Sequence, residues 1–495
     1  MVRGSCIRAR IERHQALGFI SSFGKRLINT IIIAVPLPYQ SCHKRMSSSP
    51  IDPALDSKAA AKAALAAAEA RFIANNPLSK KQHDLAVCSL PGGNTRTLLH
   101  TSPFPLCMKQ GKGAYVWDED GHKYLDLTGE LSAGLYGHSH PVIRSTILST
   151  FDNVGVSLGA TTAQEQRYAA LLCDRFKLDR VRMTNTGTEA NLHALAAARH
   201  YTGCRQVVVF AGGYHGAVLS FPSRREPLPN LVDKPDFIVL DSYNDSELAA
   251  VQIEDRSGKI AAVLVEGMQG AGGCIPASRH FLHAVQDAAH RAGALFILDE
   301  VMTSRLAPHG LGASLGLKPD LVTMGKYLGG GFAFGALGGR ANVMAVYDPR
   351  VEGSLAHSGT FNNNTMAMHA GYTGLSEIFT PEVCVEFNAK GDELRKELAE
   401  LAEGSRLSVT GLGTLMTLHF TEDGNKEILD VGDVKRKERG DFRDLFWFEM
   451  LEEGFWITRR GYIAMILDTP DEDIGIFLNA VKGFLKRHEG IMRVV

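Results

Sequence analysis

A run of apolar residues that stops abruptly in two carboxylates constrains this chain more than any other stretch. Leu295, Phe296, Ile297 and Leu298 show no alternation of apolar and polar positions. The strand they predict is therefore covered on both faces, as in a parallel sheet flanked by helices. Asp299 and Glu300 fall at its carboxyl end. A second strand is expected to finish at Thr323 and Met324. Lys326 comes directly after it, between Gly325 and Tyr327 and ahead of Gly329, Gly330 and Gly331. In an open α/β sheet, ligands occupy the crevice beyond the carboxyl ends of the strands, so an acid and a lysine delivered there by separate strands can meet. Taken singly, Asp299 reads as a helix cap and Lys326 as a solvated lysine. The pair gains its force from a second constellation upstream.

That constellation is VRMTNTGTEANLHALAAARHYTG, residues 181–203. A short strand runs into Thr186, Gly187 and Thr188, and a helix is expected from Glu189, with apolar residues at helical spacing. Hydroxyls, a glycine that admits close backbone approach and unpaired amides at a helix N-terminus suit a phosphate monoester. The sequence contains no GxxxxGK[ST], which removes the main support for a nucleoside triphosphatase. An acid facing a pyridinium nitrogen, a lysine able to form an imine and a phosphate cup are together what pyridoxal phosphate chemistry requires. In QVVVFAGGYHG, Tyr214 and His215 sit on a glycine-flexed loop where an aromatic ring can stack on a cofactor, although such a tyrosine also serves a core. Another buried strand ends at Glu266, with Met268, Gln269 and Gly270 beyond. In residues 356–371, Ser358, Gly359 and Thr360 precede a helix and offer a second contribution to the phosphate cup. Strand and helix signals alternate from about residue 180 to 340, which predicts a predominantly parallel sheet with helices on its faces.

Composition excludes other partners. The chain balances 53 basic against 54 acidic residues over 495 positions, so neither nucleic acid nor an anionic membrane is indicated. The eight cysteines show no CxxC spacing, which argues against a zinc site or a disulfide framework and fits a reducing compartment. His138 and His140 in GHSHP lack further ligands nearby, and a turn into a helix at Pro141 is the better reading than a metal site. Residues 1–45 carry many arginines and lysines against the single acid Glu12, a pattern resembling a mitochondrial presequence. Met46 before SSSP would equally serve as a start, so the location is cytoplasmic, or mitochondrial if that extension is a presequence. The apolar run from Ile28 to Leu37 is too short to span a bilayer.

Other elements are legible in passing. An alanine-rich helix is expected from Asp56 to a stop at Pro77, as an arm on the body or on a second subunit. Residues 113–127 read as a hairpin turning at Asp120 and Gly121. Residues 421–443 read as a solvated, charge-rich excursion with a helical end. Arg459 and Arg460 precede a strand expected over 462–467.

TNTGTEAN, GGYHG, LDEVMTSR, TMGKYLGGG and HSGTFNNN resemble the signatures of fold-type I, class III pyridoxal phosphate aminotransferases, and the resemblance runs from about residue 55 to the C-terminus. Glutamate-1-semialdehyde aminomutases are similar, but DEVMTSRLAPHG, HSGTFNNN, the PFPL of residues 103–106 and the RG of 460–461 look closer to β-phenylalanine aminotransferases. The resemblance implies an α/β fold with a large, mostly parallel-sheet domain and a smaller α+β domain built from both chain ends. The extension would be 1–45, the N-terminal helix and part of the small domain 46–135, the cofactor domain 136–370 and the rest of the small domain 371–495. It implies Lys326 as the Schiff-base lysine, Asp299 as partner of the pyridine nitrogen, Val301 on one ring face and Tyr214 on the other. Thr186, Gly187 and Thr188 would hold the phosphate, joined by Thr360 of the neighbouring subunit in a homodimer, and Arg96 and Arg460 would receive substrate carboxylates. Thr186 stands where serine is usual, Gly267 where proline often follows the glutamate, and Arg459 where that subgroup tends to have proline, so either arginine of the 459–460 pair can point inward. The implied activity is transamination from an aromatic β-amino acid to a keto acid such as 2-oxoglutarate. The alternatives are an aminomutase, a racemase or other class III aminotransferase, and a non-catalytic pyridoxal phosphate-binding protein.

Overall fold

A seven-stranded sheet carries the strands that the sequence announces. From one edge to the other it runs Arg180–Thr184, Gly335–Gly339, Leu321–Gly325, Leu295–Asp299, Ile260–Glu266, Gln206–Phe210 and Phe237–Leu240. Only Gly335–Gly339 is antiparallel to its neighbours. The unbroken apolar runs are explained by what covers each face. Val208, Phe210, Val263, Phe296 and Leu298 pack on one side with Phe281 and Val285 of the helix Arg279–Arg291. Val207, Val209, Ala262, Leu264, Leu295 and Ile297 pack on the other with Ala194, Leu195 and Ala198 of the helix Gly187–Thr202. Successive side chains alternate between faces, and here both faces are dry.

In this computed structural model the described residues are 53–223, 228–424 and 427–494. The basic extension at 1–45 and the alternative start at Met46 lie outside them. Among the described residues, no helix is long and apolar enough to cross a membrane, and no group of three or more His, Cys, Asp or Glu side chains is placed to hold a metal ion.

Both chain ends build one further core. The strands Tyr115–Asp118 and Lys123–Asp126 form the expected hairpin, and Phe455–Trp456 from the far end of the chain adds to it in parallel. A three-stranded antiparallel sheet, Leu407–Leu412, Leu415–Phe420 and Tyr462–Ala464, stands beside them. Phe72, Phe104, Trp447, Phe448 and Phe484 share one hydrophobic cluster with Met324, Tyr327 and Leu328, so this core reaches the lysine strand itself.

Several expectations need adjusting. The first helix is Pro53–Asn75, and Pro77 opens a second helix, Pro77–Ala86, because proline suits the first turn as well as it ends a preceding one. The last strand is only Tyr462–Ala464. Residues 421–443 are not simply solvated: Ile428 is buried, Asp430 caps the helix Val431–Lys437, and Lys435 Nζ reaches the carbonyl of Pro222 at 2.8 Å. The short charged helix is thereby tied to the body. The helix Pro141–Asn153 begins where GHSHP predicts, and His138 Nε2 lies 2.9 Å from Asp126 Oδ2.

Candidate active site

Strand register assembles the polar floor of the site. Asp299 is paired with Glu266 on one side and Thr323 on the other, so three polar groups arrive together at the carboxyl ends of adjacent strands. Asp299 is 4 % exposed, and its oxygens are nearly spent. Oδ2 accepts from Asn191 Nδ2 at 2.8 Å and lies 2.7 Å from His215 Nδ1, and Oδ1 accepts from the amide of Val301 at 2.9 Å. An ionised carboxylate has about four acceptor positions, so one remains for a further donor. Burial alone would lower the His215 pKa. The hydrogen bond and charge of Asp299, with the charge of Glu266, outweigh it and raise the pKa, so Nδ1 holds its proton toward Asp299.

Asn191 completes this floor. Its Oδ1 accepts from Thr323 Oγ1 at 2.8 Å, and its Nδ2 also reaches the His215 carbonyl at 3.1 Å. One amide thus joins helix, two strands and loop. The signal was available: Asn191 is a polar residue on the alanine-rich face by which Gly187–Thr202 packs on the sheet.

The anion turn forms two residues earlier than the sequence suggests, with the helix starting at Gly187. Thr186 is its N-cap, accepting from the Glu189 amide at 3.1 Å, while Glu189 Oε2 reaches back to the Asn185 amide at 2.8 Å. Among the described residues, nothing accepts from the amides of Gly187 and Thr188. They point the positive end of the helix at an open position. Gly187 is needed here, because a Cβ would stand 2.7 Å from Val301 Cγ1. Gly187 and Val301 are therefore in contact, and Thr188 lies against Gly216, next to His215.

Tyr214 stands in a two-residue bridge, Gly213–Tyr214 with Ser220–Phe221. Its amide donates to Glu266 Oε2 at 3.0 Å, and the residue is 45 % exposed, so a ring face is available to a ligand. Glu266 also accepts from the Gly270 amide at 3.3 Å, and burial pushes its pKa up to about 7. Lys326 follows its strand with φ +58°, a left-handed conformation that a non-glycine residue adopts under constraint. Burial draws its pKa down to about 8 against the opposing pull of Asp299 and Glu266, and the charge of Arg460 lowers it further. An amine so tuned exchanges protons near neutrality.

The residues present fit pyridoxal phosphate. A spare acceptor on a buried carboxylate suits a pyridinium N–H, two unpaired amides suit a phosphate, and the Val301 side chain against Gly187 and the exposed Tyr214 ring are apolar surfaces suited to a planar ring. Thr360 is exposed, on a segment tied to this region by the 3.0 Å bond from Asn185 Nδ2 to Asn362 Oδ1.

Arg96 and Arg460, and Arg459 with them, line a cleft of about 690 Å³, which adjoins one of about 540 Å³ that Lys326 lines. Glu130 and His138 belong to both. Arg96 pairs with Glu130. Arg459 is held by Asp444 Oδ2 at 2.7 Å and by the Ser102 carbonyl, with its guanidinium 5.4 Å from the rings of Trp447 and Phe448. Arg460 has no acid partner among the described residues; its Nε is buried without a hydrogen bond, and its guanidinium stands 5.1 Å from the Tyr462 ring.

A strand-end lysine and acid joined to a helix-capped anion turn define the fold-type I architecture of pyridoxal phosphate-dependent transferases. A family model for class-III aminotransferases matches residues 99–483, and the chain belongs to that family. It is 47 % identical over 429 residues to an uncharacterised aminotransferase of Schizosaccharomyces pombe, covering 86 % of this chain and 96 % of the relative. It is also 47 % identical over 432 residues to the β-phenylalanine transaminase of Variovorax paradoxus, covering 87 % of this chain and 97 % of that one. A solved structure of the β-phenylalanine aminotransferase from that organism superimposes with a TM-score of 0.85 at 46 % identity, over 88 % of this chain and all of the other. A glutamate-1-semialdehyde 2,1-aminomutase of Bacillus pumilus is 32 % identical, over 82 % of this chain and 96 % of its own.

Proposed function

We propose that this enzyme moves the amino group of a β-amino acid bearing an aromatic or other apolar group, resembling β-phenylalanine, to a keto acid such as 2-oxoglutarate. The observation that carries the reading is the state of the two adjacent arginines: Arg459 is consumed by Asp444, whereas Arg460 keeps an unpartnered buried Nε and acts on the Lys326 charge. A carboxylate entering such a cleft exchanges hydration for a guanidinium, which alone can meet it bidentately. Leu98, Leu106, Trp456 and Ile457 on the same walls suit an apolar substituent. The β-phenylalanine transaminase named above supports the same substrate class.

The cofactor is pyridoxal phosphate, which supplies an electron sink for the substrate's amine-bearing carbon. Asp299, held by three donors, keeps a proton on the pyridine nitrogen. Lys326 Nζ, with its pKa near 8, takes a proton from the substrate carbon and returns one as the second substrate is aminated. Arg96 receives the carboxylate next to the reacting carbon, and Arg460 the distal carboxylate of the dicarboxylic acceptor, swinging aside for an apolar side chain.

Thr360 serves the phosphate of a second copy in a homodimer. Phe151, Val154, Val156, Leu158 and Phe361 are exposed on neighbouring segments, which Thr365 Oγ1 ties together through the carbonyls of Gly155 and Val156 at 2.7 and 2.9 Å. An apolar band of this kind calls for a cover. The deciding experiment is an amino-donor screen with 2-oxoglutarate, comparing aromatic and aliphatic β-amino acids with α-amino acids and simple amines. Preference for α-amino acids rejects the substrate reading, and turnover without any keto acid favours an aminomutase or racemase.

A further inference from the structure

The segment Gly129–Ser132 is the most constrained stretch of backbone beside the clefts. Glu130, Leu131 and Ser132 have φ of +47°, +55° and +76°, three consecutive non-glycine residues in the left-handed region. Such conformations persist only where surrounding structure over-determines them, and they cluster at ligand clamps. The determinants are visible. Gly129 cannot carry a Cβ, which would stand 2.5 Å from the carbonyl oxygen of Ala464. The amides of Thr128 and Gly129 both donate to Asp126 Oδ1, at 2.8 and 3.1 Å. The Gly134 amide closes the turn on the Gly129 carbonyl at 2.9 Å. Leu131 packs against the apolar cluster of Met268, Cys274 and Tyr462, and Ser132 is fully buried. Leu131 also borders the arginine cleft, but the Glu130 side chain is 58 % exposed and lines both the lysine cleft and the arginine cleft.

There it meets Arg96. The two side chains form an ion pair while both remain half-exposed. For a pair of this exposure the stabilisation is small. Besides its packed Leu131 and buried Ser132, the turn thus holds out a carboxylate whose contact contributes little to the fold. What the contact does is occupy the guanidinium that a substrate carboxylate would need. Arg460, lining the same cleft, has no such acid among the described residues.

We propose that Glu130 is a specificity-determining latch: it neutralises Arg96 in the empty site and yields that guanidinium only to a ligand whose own carboxylate replaces it. The inference rests on the reading of Arg96 as a carboxylate receptor. The exchange is one carboxylate for another, with charge conserved at the arginine, so a neutral ligand of the same shape finds Arg96 already satisfied and neither gains nor loses by the pair. The latch sets how strongly the site discriminates carboxylates from neutral analogues, and it leaves Arg460 free for the second acid.

The test uses two unreactive ligands that lack the amine, 3-phenylpropanoate and 3-phenylpropanamide, titrated calorimetrically into the cofactor-loaded enzyme. In Glu130→Gln the carboxylate ligand no longer competes with an internal acid. Its affinity is expected to rise about fivefold, the upper end of what a half-exposed ion pair is worth, with the amide's affinity unchanged. In the double variant with Arg96→Gln the gain is expected to vanish. Equal shifts for both ligands, or none for the carboxylate, overturn the latch, since a purely structural role of Glu130 would act on both alike. Arg96→Gln alone separates the two layers. If it weakens 3-phenylpropanoate while Glu130→Gln changes nothing, the receptor reading stands and the latch falls. If it leaves that affinity intact, the receptor reading fails and the latch with it.

Discussion

The floor of the site and its arginine wall are built on opposite plans. Asp299, Asn191, His215 and Thr323 are buried at strand and helix ends, locked by hydrogen bonds of 2.7–2.8 Å that cross-link separate elements. Arg96, Glu130 and Arg460 line one open cleft, the first two as a half-exposed ion pair and the third without an acid among the described residues. The reacting centre needs fixed geometry and a low-dielectric setting, which only a saturated network inside the sheet provides. Substrate choice needs groups that can change partners. The same division predicts that damage to the floor acts on every substrate, whereas damage to the wall acts on some.

The sharpest break is at Lys326. Lys326→Ala should fold and abolish turnover in both half-reactions, by about 10⁴-fold or more since base and covalent roles are lost together; activity with any amino donor near the unaltered rate would remove the central assignment. Next, Asp299→Asn should slow both half-reactions alike, by about a thousandfold, because a neutral amide cannot stabilise the pyridinium as a carboxylate does. Stopped-flow absorbance of the two half-reactions measures it, and a selective effect would place Asp299 on the wrong side of the comparison.

On the wall, Arg460→Ala should cost about 3 kcal/mol in the half-reaction with 2-oxoglutarate and far less with an aromatic β-amino acid. Arg96→Ala should damage both. Equal losses in Arg460→Ala, or a selective loss in Arg459→Ala, would reassign the receptor. Asn191→Ala should lower stability by about 1–3 kcal/mol, since it leaves buried Thr323 and Asp299 each short of a partner; chemical denaturation reads this, and an unchanged midpoint would show that the floor is not held as a network. The smallest effect is in pH dependence. The Lys326 amine loses its proton as pH rises through about 8, so proton abstraction should rise across that range. Because Arg460 helps to lower this pKa, Arg460→Ala should move the midpoint upward, and a downward or absent movement would uncouple wall from floor.

Much of the floor was legible because strands buried on both faces write themselves as unbroken apolar runs, and the residues directly after such a run must lie at the strand ends. Asp299, Glu266 and Lys326 were located this way, and Thr186–Gly187–Thr188 by the cap and glycine before an apolar helical repeat. Asn191 was missed because a single polar residue inside a helix states no partner. Pro77 was read as a stop alone, since proline's fixed φ serves the end of one helix and the start of another equally well.

The wall was hardly legible, for a physical reason. Arg459 and Arg460 are adjacent and line the same cleft, and nothing local says which guanidinium is left unpaired. Asp444 and the rings of Trp447 and Phe448, all on the helix Gly440–Glu452, and the distant Ser102 carbonyl together take Arg459. Glu130 carries no local signal, because its contact with Arg96 depends on a left-handed turn pinned by Asp126 and Ala464. The sequence by itself determined the buried strands that reach Glu266, Asp299 and Met324, their predominantly parallel setting and the anion turn, since these follow from local periodicity and from what a strand end must expose; the strand order and the antiparallel Gly335–Gly339 came from the structure. Only the tertiary structure decided which arginine is free, which acid faces which base and how the two chain ends meet, because those outcomes depend on groups from separate elements, some of them hundreds of residues apart as Arg459 and Ser102 are, whose competition for partners has no local signature.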